Sequence, residues 1–454
     1  KLYTNTVAIG VVLGMLGVDF GLLEAYLTER FARKSADIVS ANVTAARRGY
    51  RHGERLRPEL PTVPVRTPGV ENELLLNGAE AVTFGAIAGG CNFVSSYPMS
   101  PSTPVLVGLA GHSHQFGIAV EQAEDEISAV NMALGAWYAG ARAIVTTSGG
   151  GFALMGEGIS LAGCIETPVV VHLAQRPGPA TGLPTRTEQG DLFFVIHAGH
   201  GEFPKVVLTP GYPEQAFLAV NKALDLAEKY QIPVIVQGDQ YLGDAQWTCP
   251  MFATDALAYR DYRLRGDRLA ELDDYRRYAY SDSGISPLAV PGESSHLVVV
   301  DSDEHDEHGH IIEDAETRNR MIDKRLFRKM PDLQREISPP GHYGADDPEV
   351  LLIGYGSTYG VMREVVDLLG EEHDIAMLHF SEVYPFPLAD SFDYLGMLRA
   401  AGHTLCVEAN ATGQFARLLR AETGFTCSAG INTYDGRPLT TDGLQEKVLA
   451  RIKG

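Results

Sequence analysis

Cysteine is scarce and scattered. The 454 residues hold five, at Cys91, Cys164, Cys249, Cys406 and Cys427, and no two form a CxxC pair. That argues against a zinc knuckle or a cysteine-held iron–sulfur cluster built within this chain. An odd, dispersed set also fits a reducing cytoplasm better than a disulfide framework. Basic residues are outnumbered, 37 Lys and Arg against 58 Asp and Glu, for a net charge of −21. Nucleic acid is therefore not an expected partner, because phosphate binding needs a basic face. The acidity is read as plain solubility and identifies no substrate. Long apolar runs are missing too. Residues 7–18 are continuously apolar or glycine, too short to span a bilayer. Asp19 and Glu24 follow with no small-residue cleavage pattern. This run is read as a buried helix, and no membrane is expected as a partner. The chain opens on Lys1, not methionine, which suggests a fragment or a processed product. It has no internal repeat and no low-complexity tract.

The length exceeds what one hydrophobic core organises, so roughly two or three domains are expected. Residues 1–50 carry helical spacing, with Leu22, Leu23, Tyr26, Leu27 and Phe31 recurring at turns of a helix. Pro58, Pro61, Pro64 and Pro68 then stiffen a stretch read as an interdomain linker. From 73 to about 243, β-branched runs alternate with helical patterns. Strands are expected at 93–96, 117–120, 143–147, 168–173 and 233–237. Helices are expected at 78–88, 125–139, 152–162 and 212–229. Continuous β-branched runs between helices imply a parallel sheet buried on both faces. Residues 244–343 are charged and weakly periodic, with a polar stretch at 301–314 and a basic, helix-like segment at 319–335. The α/β rhythm returns from 347, with strands at 350–353, 375–378 and 405–408 and helices at 360–369 and 414–422. This is read as a second, smaller α/β domain.

Three segments at strand ends carry candidate chemistry. The first is Tyr97-Pro98-Met99-Ser100-Pro101-Ser102-Thr103, between a strand and a helix. Ligands of open α/β sheets bind at the carboxyl ends of strands. Ser102 or Thr103 is placed to cap the next helix and free its N–H groups for an anion. An ordinary proline-rich turn is the bland alternative. The second is Glu121-Gln122-Ala123-Glu124-Asp125-Glu126 at a helix start. The helix dipole favours acids there, yet one buried carboxylate among them suits a heterocycle nitrogen. The sequence does not choose which. The third is Gln175-Arg176-Pro177-Gly178-Pro179-Ala180-Thr181-Gly182, followed by Pro184, Arg186 and Asp191. An arginine directly after an apolar strand is placed to clamp a carboxylate through two parallel bonds. It reads equally well as a surface arginine in a loop.

Two clusters invite over-reading. Glu304-His305-Asp306-Glu307-His308-Gly309-His310 matches neither HExxH nor a zinc-finger spacing, and a solvated loop is expected. Ser148-Gly149-Gly150-Gly151 lacks the lysine of a P-loop and the dinucleotide spacing. Its glycines are read as close backbone packing near a cofactor or interface.

Together these segments resemble the α subunit of 2-oxoacid:ferredoxin oxidoreductases. Residues 97–103 are similar to the family's Tyr-Pro-Ile-Thr-Pro-Ser signature. Residues 121–140 resemble the strand and helix carrying its cofactor glutamate. Residues 175–182 are similar to its Gln-Arg-Gly-Gly-Pro-Ser-Thr-Gly loop. Gly284-Ile285-Ser286-Pro287, Glu304-His305-Asp306-Glu307 with Gly309-His310, and Tyr384-Pro385-Phe386-Pro387 resemble the 2-oxoglutarate type. The resemblance implies an α/β fold. A thiamine-diphosphate-binding, pyrimidine-type domain with a parallel sheet is joined by a smaller, transketolase C-terminal-like α/β domain. The implied partition is 1–55, the tail of a fused γ domain; 56–72, a linker; 73–245, the pyrimidine-type domain; 246–346, a connecting region; and 347–454, the transketolase C-terminal-like domain.

The resemblance also implies chemistry. Thiamine diphosphate would be shared with a β subunit, which holds the diphosphate, its magnesium and a [4Fe–4S] cluster. Glu126 would bond the pyrimidine ring, and Pro98 would offer its carbonyl to the ring's amino group. Ser100 stands where the signature threonine does, and Arg176 stands at the arginine for the substrate's 1-carboxylate. Ser100 keeps the hydroxyl without the methyl, and Ala180 replaces the usual serine. The implied reaction interconverts 2-oxoglutarate plus coenzyme A with succinyl-CoA plus carbon dioxide, electrons passing to or from ferredoxin; run backwards it is reductive carboxylation. An (αβ)2 assembly in the cytoplasm is expected. The alternatives are a related enzyme for pyruvate or branched 2-oxoacids, a thiamine enzyme without electron transfer, and a non-catalytic scaffold subunit.

Overall fold

The helical spacing of the first residues is realised as α1 (Thr4–Leu16), α2 (Phe20–Arg30) and α3 (Ala36–Leu56). The computed structural model describes residues 2–59, 72–254, 257 and 259–452. Most of the stretch read as a linker, 60–71, lies outside the described residues. Contacts divide the chain into two units, Lys1–Glu73 and Leu74–Gly454.

In the first unit α1 crosses α3 backbone against backbone. A methyl group on Gly10 or Gly14 would strike the main chain at Ala46 and Tyr50, and one on Gly49 or Gly53 would strike it at Val7 and Val11. Small residues spaced four apart on both helices permit this approach. Leu23, Leu27 and Ala46 form a small core with Leu13, Phe20, Phe31 and Val43. The reading of residues 7–18 as a buried helix is corrected here. The helix exists, but its buried residues are Gly10 and Gly14, while Val7, Ile9, Val12 and Leu16 are exposed. Apolar content predicts burial only when the apolar face is the packing face, and here glycine is. No helix among the described residues is long and apolar enough to cross a membrane.

The strands are, in chain order, β1 (Glu73–Leu76), β2 (Phe93–Ser96), β3 (Ala119–Gln122), β4 (Ala143–Thr147), β5 (Val169–Gln175), β6 (Val206–Leu208) and β7 (Pro233–Asp239). They continue as β8 (Trp247–Pro250), β9 (Gly341–Gly344), β10 (Val350–Tyr355), β11 (Ile375–Phe380), β12 (Glu382–Tyr384), β13 (His403–Glu408) and β14 (Ala429–Asn432). The larger sheet runs β12-β6-β7-β5-β4-β2-β3, and all its pairs are parallel except β12 with β6. Strands β4, β5 and β7 are buried along their whole length, as their apolar first halves imply. The second sheet runs β14-β13-β10-β11-β9, with only β9 antiparallel. The fold is therefore α/β, as expected. Strand β12 leaves the second sheet's sequence to close the edge of the first, which no local pattern announces.

The charged region 244–343 is ordered by buried ions rather than by apolar periodicity. Its basic segment is a helix, Ala315–Ile322, a π-helical turn, Asp323–Arg328, and a further helix, Lys329–Arg335. Residues five apart in an α-helix point about 140° apart, since each residue advances roughly 100°. A π turn closes i to i+5 and returns them to one side. Lys324 and Lys329 thereby meet one carboxylate, Glu166, which lies just before β5. Lys324 Nζ is 2.7 Å from it and Lys329 also pairs with it, all three side chains being buried. Arg277 donates to the Glu166 carbonyl at 2.6 Å. Burial pushes the Glu166 carboxyl up, but Lys324, Lys329 and Arg277 outweigh it and hold the group well below the usual carboxylate range.

The expectation of a solvated loop at 304–310 fails for the same reason. His305 is buried against the Tyr278 ring at 3.8 Å, and Glu304 pairs with Arg325 at 2.6 Å and with Arg318. The Asp306 carboxylate accepts from the His308 and His310 amides at 2.9 and 3.0 Å. Only His310 in this stretch is exposed, His308 being half-buried. No group of potential metal ligands gathers among the described residues.

Candidate active site

The chain runs from β2 out to β3 at one edge, then returns to β4 on the other side of β2. Carboxyl ends of strands diverge at such a reversal and leave a crevice. All three candidate segments leave the larger sheet there or beside it, after β2, β3 and β5, and the glycine turn follows β4.

After β2, residues 97–102 form a tight turn into the helix Thr103–Phe116. The Ser102 hydroxyl donates inward to the Met99 carbonyl at 2.8 Å, and its amide donates to the same oxygen at 2.9 Å. Ser102 is fully buried and makes no side-chain cap. The capping role read for Ser102 is thus replaced by a bond that braces the turn. The turn holds Pro98 half-buried and Ser100 exposed.

After β3, Asp125 caps the helix Glu126–Tyr138 by accepting from the Ser128 amide at 2.7 Å. Glu126 is left without that duty. Its side chain is 3% exposed and Oε1 has no hydrogen-bond partner. Glu121 and Glu124 are exposed. The tertiary fold therefore chooses among acids that the sequence could not rank. A buried carboxylate oxygen without a partner costs about 1–3 kcal/mol or more, so it calls for a donor from a ligand.

After β4, the glycine turn makes room for that carboxylate. A methyl group on Gly151 would collide with the Glu126 carboxylate and the Thr147 hydroxyl, and one on Gly149 with the Asp191 carboxylate. The buried Ser148 hydroxyl also has no partner. Close packing is realised at Gly149 and Gly151, each against a carboxylate, and not at Gly150. Asp191 is raised to about 6 by burial.

After β5, Arg176 Nη1 donates to the Ser100 carbonyl at 2.6 Å, while its buried Nε has no partner. Ser100 and Arg176 are thus brought together, and Arg186 stays exposed. The loop is sterically fixed, since a Cβ on Gly182, at φ +52°, would overlap the Pro177 carbonyl. Gln175 closes its neck, accepting from the Asp191 amide at 2.9 Å and donating to the Gly238 carbonyl at 3.2 Å. Gln189, farther along the loop, was not singled out from the sequence. Its side-chain partners lie 166 and 220 residues away, so no local signal marks it.

The orphaned Glu126 oxygen, its glycine-lined neighbour and the nearby arginine fit a heterocycle that offers a ring nitrogen and a substrate that offers a carboxylate. Residues 84–324 match the family described as pyruvate flavodoxin/ferredoxin oxidoreductase, thiamine diphosphate-binding, and residues 1–52 match pyruvate ferredoxin/flavodoxin oxidoreductase. The chain is 37% identical over 397 residues to 2-oxoacid:ferredoxin oxidoreductase 1, subunit alpha, of Sulfurisphaera tokodaii, covering 83% of this chain and 61% of that one. It is 35% identical to 2-oxoacid:ferredoxin oxidoreductase 2, subunit alpha, of Aeropyrum pernix, covering 96% and 70%. Its fold matches a 2-oxoglutarate:ferredoxin oxidoreductase from Magnetococcus marinus, solved with 2-oxoglutarate, coenzyme A and succinyl-CoA bound. There the TM-score is 0.87 and the identity 32%, covering 99% of this chain and 77% of that one. The chain thus spans about three fifths of the length of the Sulfurisphaera relative.

Proposed function

The chain belongs to the 2-oxoacid:ferredoxin oxidoreductase family, and on that premise we propose that it is the pyrimidine-side subunit of an enzyme acting on 2-oxoglutarate. The reaction interconverts 2-oxoglutarate plus coenzyme A with succinyl-CoA plus carbon dioxide, with electrons exchanged with ferredoxin. The observation that carries this reading is the buried Glu126 carboxylate with an unpartnered oxygen at the reversal of the sheet. The bound ligands of the Magnetococcus structure support 2-oxoglutarate as substrate.

Thiamine diphosphate, when bound, supplies the nucleophilic carbon and the electron sink for decarboxylation. Glu126 would hold and move a proton at the pyrimidine nitrogen, and the Pro98 carbonyl would accept from the ring's amino group. Arg176 binds the 1-carboxylate, its guanidinium already oriented by the Ser100 carbonyl. The Ser100 hydroxyl would serve the same substrate group. Residues 73–245 form the pyrimidine-type domain, 246–346 the connecting region and 347–454 the transketolase C-terminal-like domain, with 1–55 as the γ-domain tail. The diphosphate, magnesium and a [4Fe–4S] cluster belong to a β subunit in a cytoplasmic (αβ)2 assembly. The scattered cysteines of this chain agree with that division.

Co-expression with the neighbouring subunit, followed by viologen reduction across a panel of 2-oxoacids, tests the reading. The highest kcat/KM is expected with 2-oxoglutarate. Preference for pyruvate or a branched acid overturns the substrate, and a colourless complex without reduction overturns the enzyme class.

In the same complex Arg176→Lys keeps the charge but loses the planar fork that matches a carboxylate. KM for the 2-oxoacid should rise at least about tenfold, or ~1.4 kcal/mol. An unchanged KM would place the carboxylate elsewhere, with Arg186 the next candidate.

A further inference from the structure

The loop that carries Arg176 leaves the larger sheet at Gln175 and returns to it at Asp191, yet much of its anchorage is on the other sheet. Gln189 is 1% exposed, and both its backbone groups and both its side-chain polar atoms are satisfied there. Its amide donates to the Ala409 carbonyl at 2.7 Å, and its Oε1 accepts from the Ala409 amide at 2.9 Å. Its Nε2 donates to the Tyr355 carbonyl at 2.9 Å, and its carbonyl accepts from the Tyr355 hydroxyl at 3.2 Å. Tyr355 ends β10, and Ala409 follows β13 directly. Gln414 adds a second fastening, donating to the Gly190 carbonyl at 2.6 Å and accepting from the Phe193 amide at 2.9 Å. The Thr187 amide donates to the Gly436 carbonyl at 3.3 Å. On the side of the larger sheet the loop has its neck at Gln175, the Arg176–Ser100 bond and a bond from the Tyr241 amide to the Thr187 hydroxyl at 3.2 Å.

We infer that Gln189 is a positioning residue, which fixes the Arg176 loop to the carboxyl ends of β10 and β13 and so sets affinity for the substrate carboxylate. The inference rests on the reading of Arg176 given above. A side chain that pairs with a backbone carbonyl at the end of one strand and a backbone amide just past the end of another fixes translation and rotation together. The near end of the loop, with Arg176, is held by the larger sheet, and its far end, at Gln189, is held by the second. That gives the smaller sheet a part in substrate recognition although none of its side chains is assigned to the substrate.

The test uses the chain co-expressed with its neighbouring subunit. Gln189→Ala should raise KM for 2-oxoglutarate at least about fivefold, within the range of coupled neighbours, with kcat at saturation changed far less. In an Arg176→Lys background the same change should add almost nothing, because the fork that the loop was orienting is gone. Backbone hydrogen exchange over 177–188 should quicken in Gln189→Ala, as expected of a loop that has lost its fastening. Tyr355→Phe removes a single bond to Gln189 and gives a smaller shift in the same direction, which keeps the test available if Gln189→Ala does not fold. A KM within twofold of wild type in the folded variants overturns the inference, and so does full additivity with Arg176→Lys. The two readings separate cleanly. Faster exchange together with an Arg176→Lys variant of unchanged KM would sink the role of Arg176 and leave the fastening intact. Unchanged exchange with a sensitive Arg176 would sink the role of Gln189 alone.

Discussion

Turnover of the Glu126→Gln complex falls by at least about a hundredfold, the low end for losing general acid–base help, while folding and subunit assembly survive. The competing account is that an acid in a first helical turn only complements the dipole, worth at most about 1 kcal/mol at an exposed site. The geometry speaks against that account. Asp125 already caps the helix, and Glu126 is 3% exposed with an oxygen that accepts no hydrogen bond from the protein. Gly151 lacks the side chain that would otherwise fill the space beside it. Glutamine keeps the size and one hydrogen-bonding atom, but an amide cannot pass a proton to and from a ring nitrogen. Deuterium incorporation at the reactive ring carbon of bound thiamine diphosphate should slow in parallel. That readout is independent of electron transfer and of the substrate's identity. Near-normal incorporation in an intact Glu126→Gln complex would falsify the assignment.

Replacing Glu166 by glutamine costs the protein about 3–5 kcal/mol, the usual effect of removing one partner from a buried ion pair. The variant retains the side-chain volume, so no cavity accounts for the loss. What remains is a buried site holding Lys324, Lys329 and Arg277 without their carboxylate. The sign of the pH dependence follows from the depressed carboxyl. A glutamate held below its unfolded value, about 4.3, contributes all its stability above that pH. The contribution is lost as pH falls toward the lower folded value. The gap between wild type and Glu166→Gln should therefore be full near neutrality and narrow below about pH 4. Calorimetric unfolding at several pH values measures it. A second change, Lys324→Met, should recover part of the loss, since it removes one of the uncompensated charges. A gap below about 1 kcal/mol at neutral pH would mean that the lysines shed their protons instead.

Much of the fold was legible because it is written in local patterns. The runs 93–96 and 143–147 match β2 and β4, and 78–88 matches the helix Gly78–Ala88. Each is a short apolar or helical segment with clear punctuation at its ends. Strands β6, β9 and β12 were not legible. They are three or four residues long and acquire strand geometry only from the neighbour they pair with. The helix Phe152 onward was read as continuous from 152 to 162, whereas the structure breaks it between Leu154 and Gly156.

By itself, then, the sequence determined where polar residues follow the ends of strands, and so which loops are candidates for the chemistry: 97–103, 121–126 and 175–182. Local spacing suffices for that, because a strand's end and the residues just after it are neighbours in the chain. Tertiary structure alone decided which of those residues are buried, paired or left without a partner. Whether a carboxylate is buried, paired or orphaned depends on atoms brought up by other segments. Glu126 is set apart from Glu121 and Glu124 by burial and by Gly151, and Glu166 becomes an anchor through lysines more than 150 residues away. Ser102 turns inward to Met99 instead of capping its helix. Gln189 matters only because β10 and β13 end beside it. Periodicity reports one face of one element, whereas desolvation and pairing are properties of the contact between elements, and no single segment encodes them.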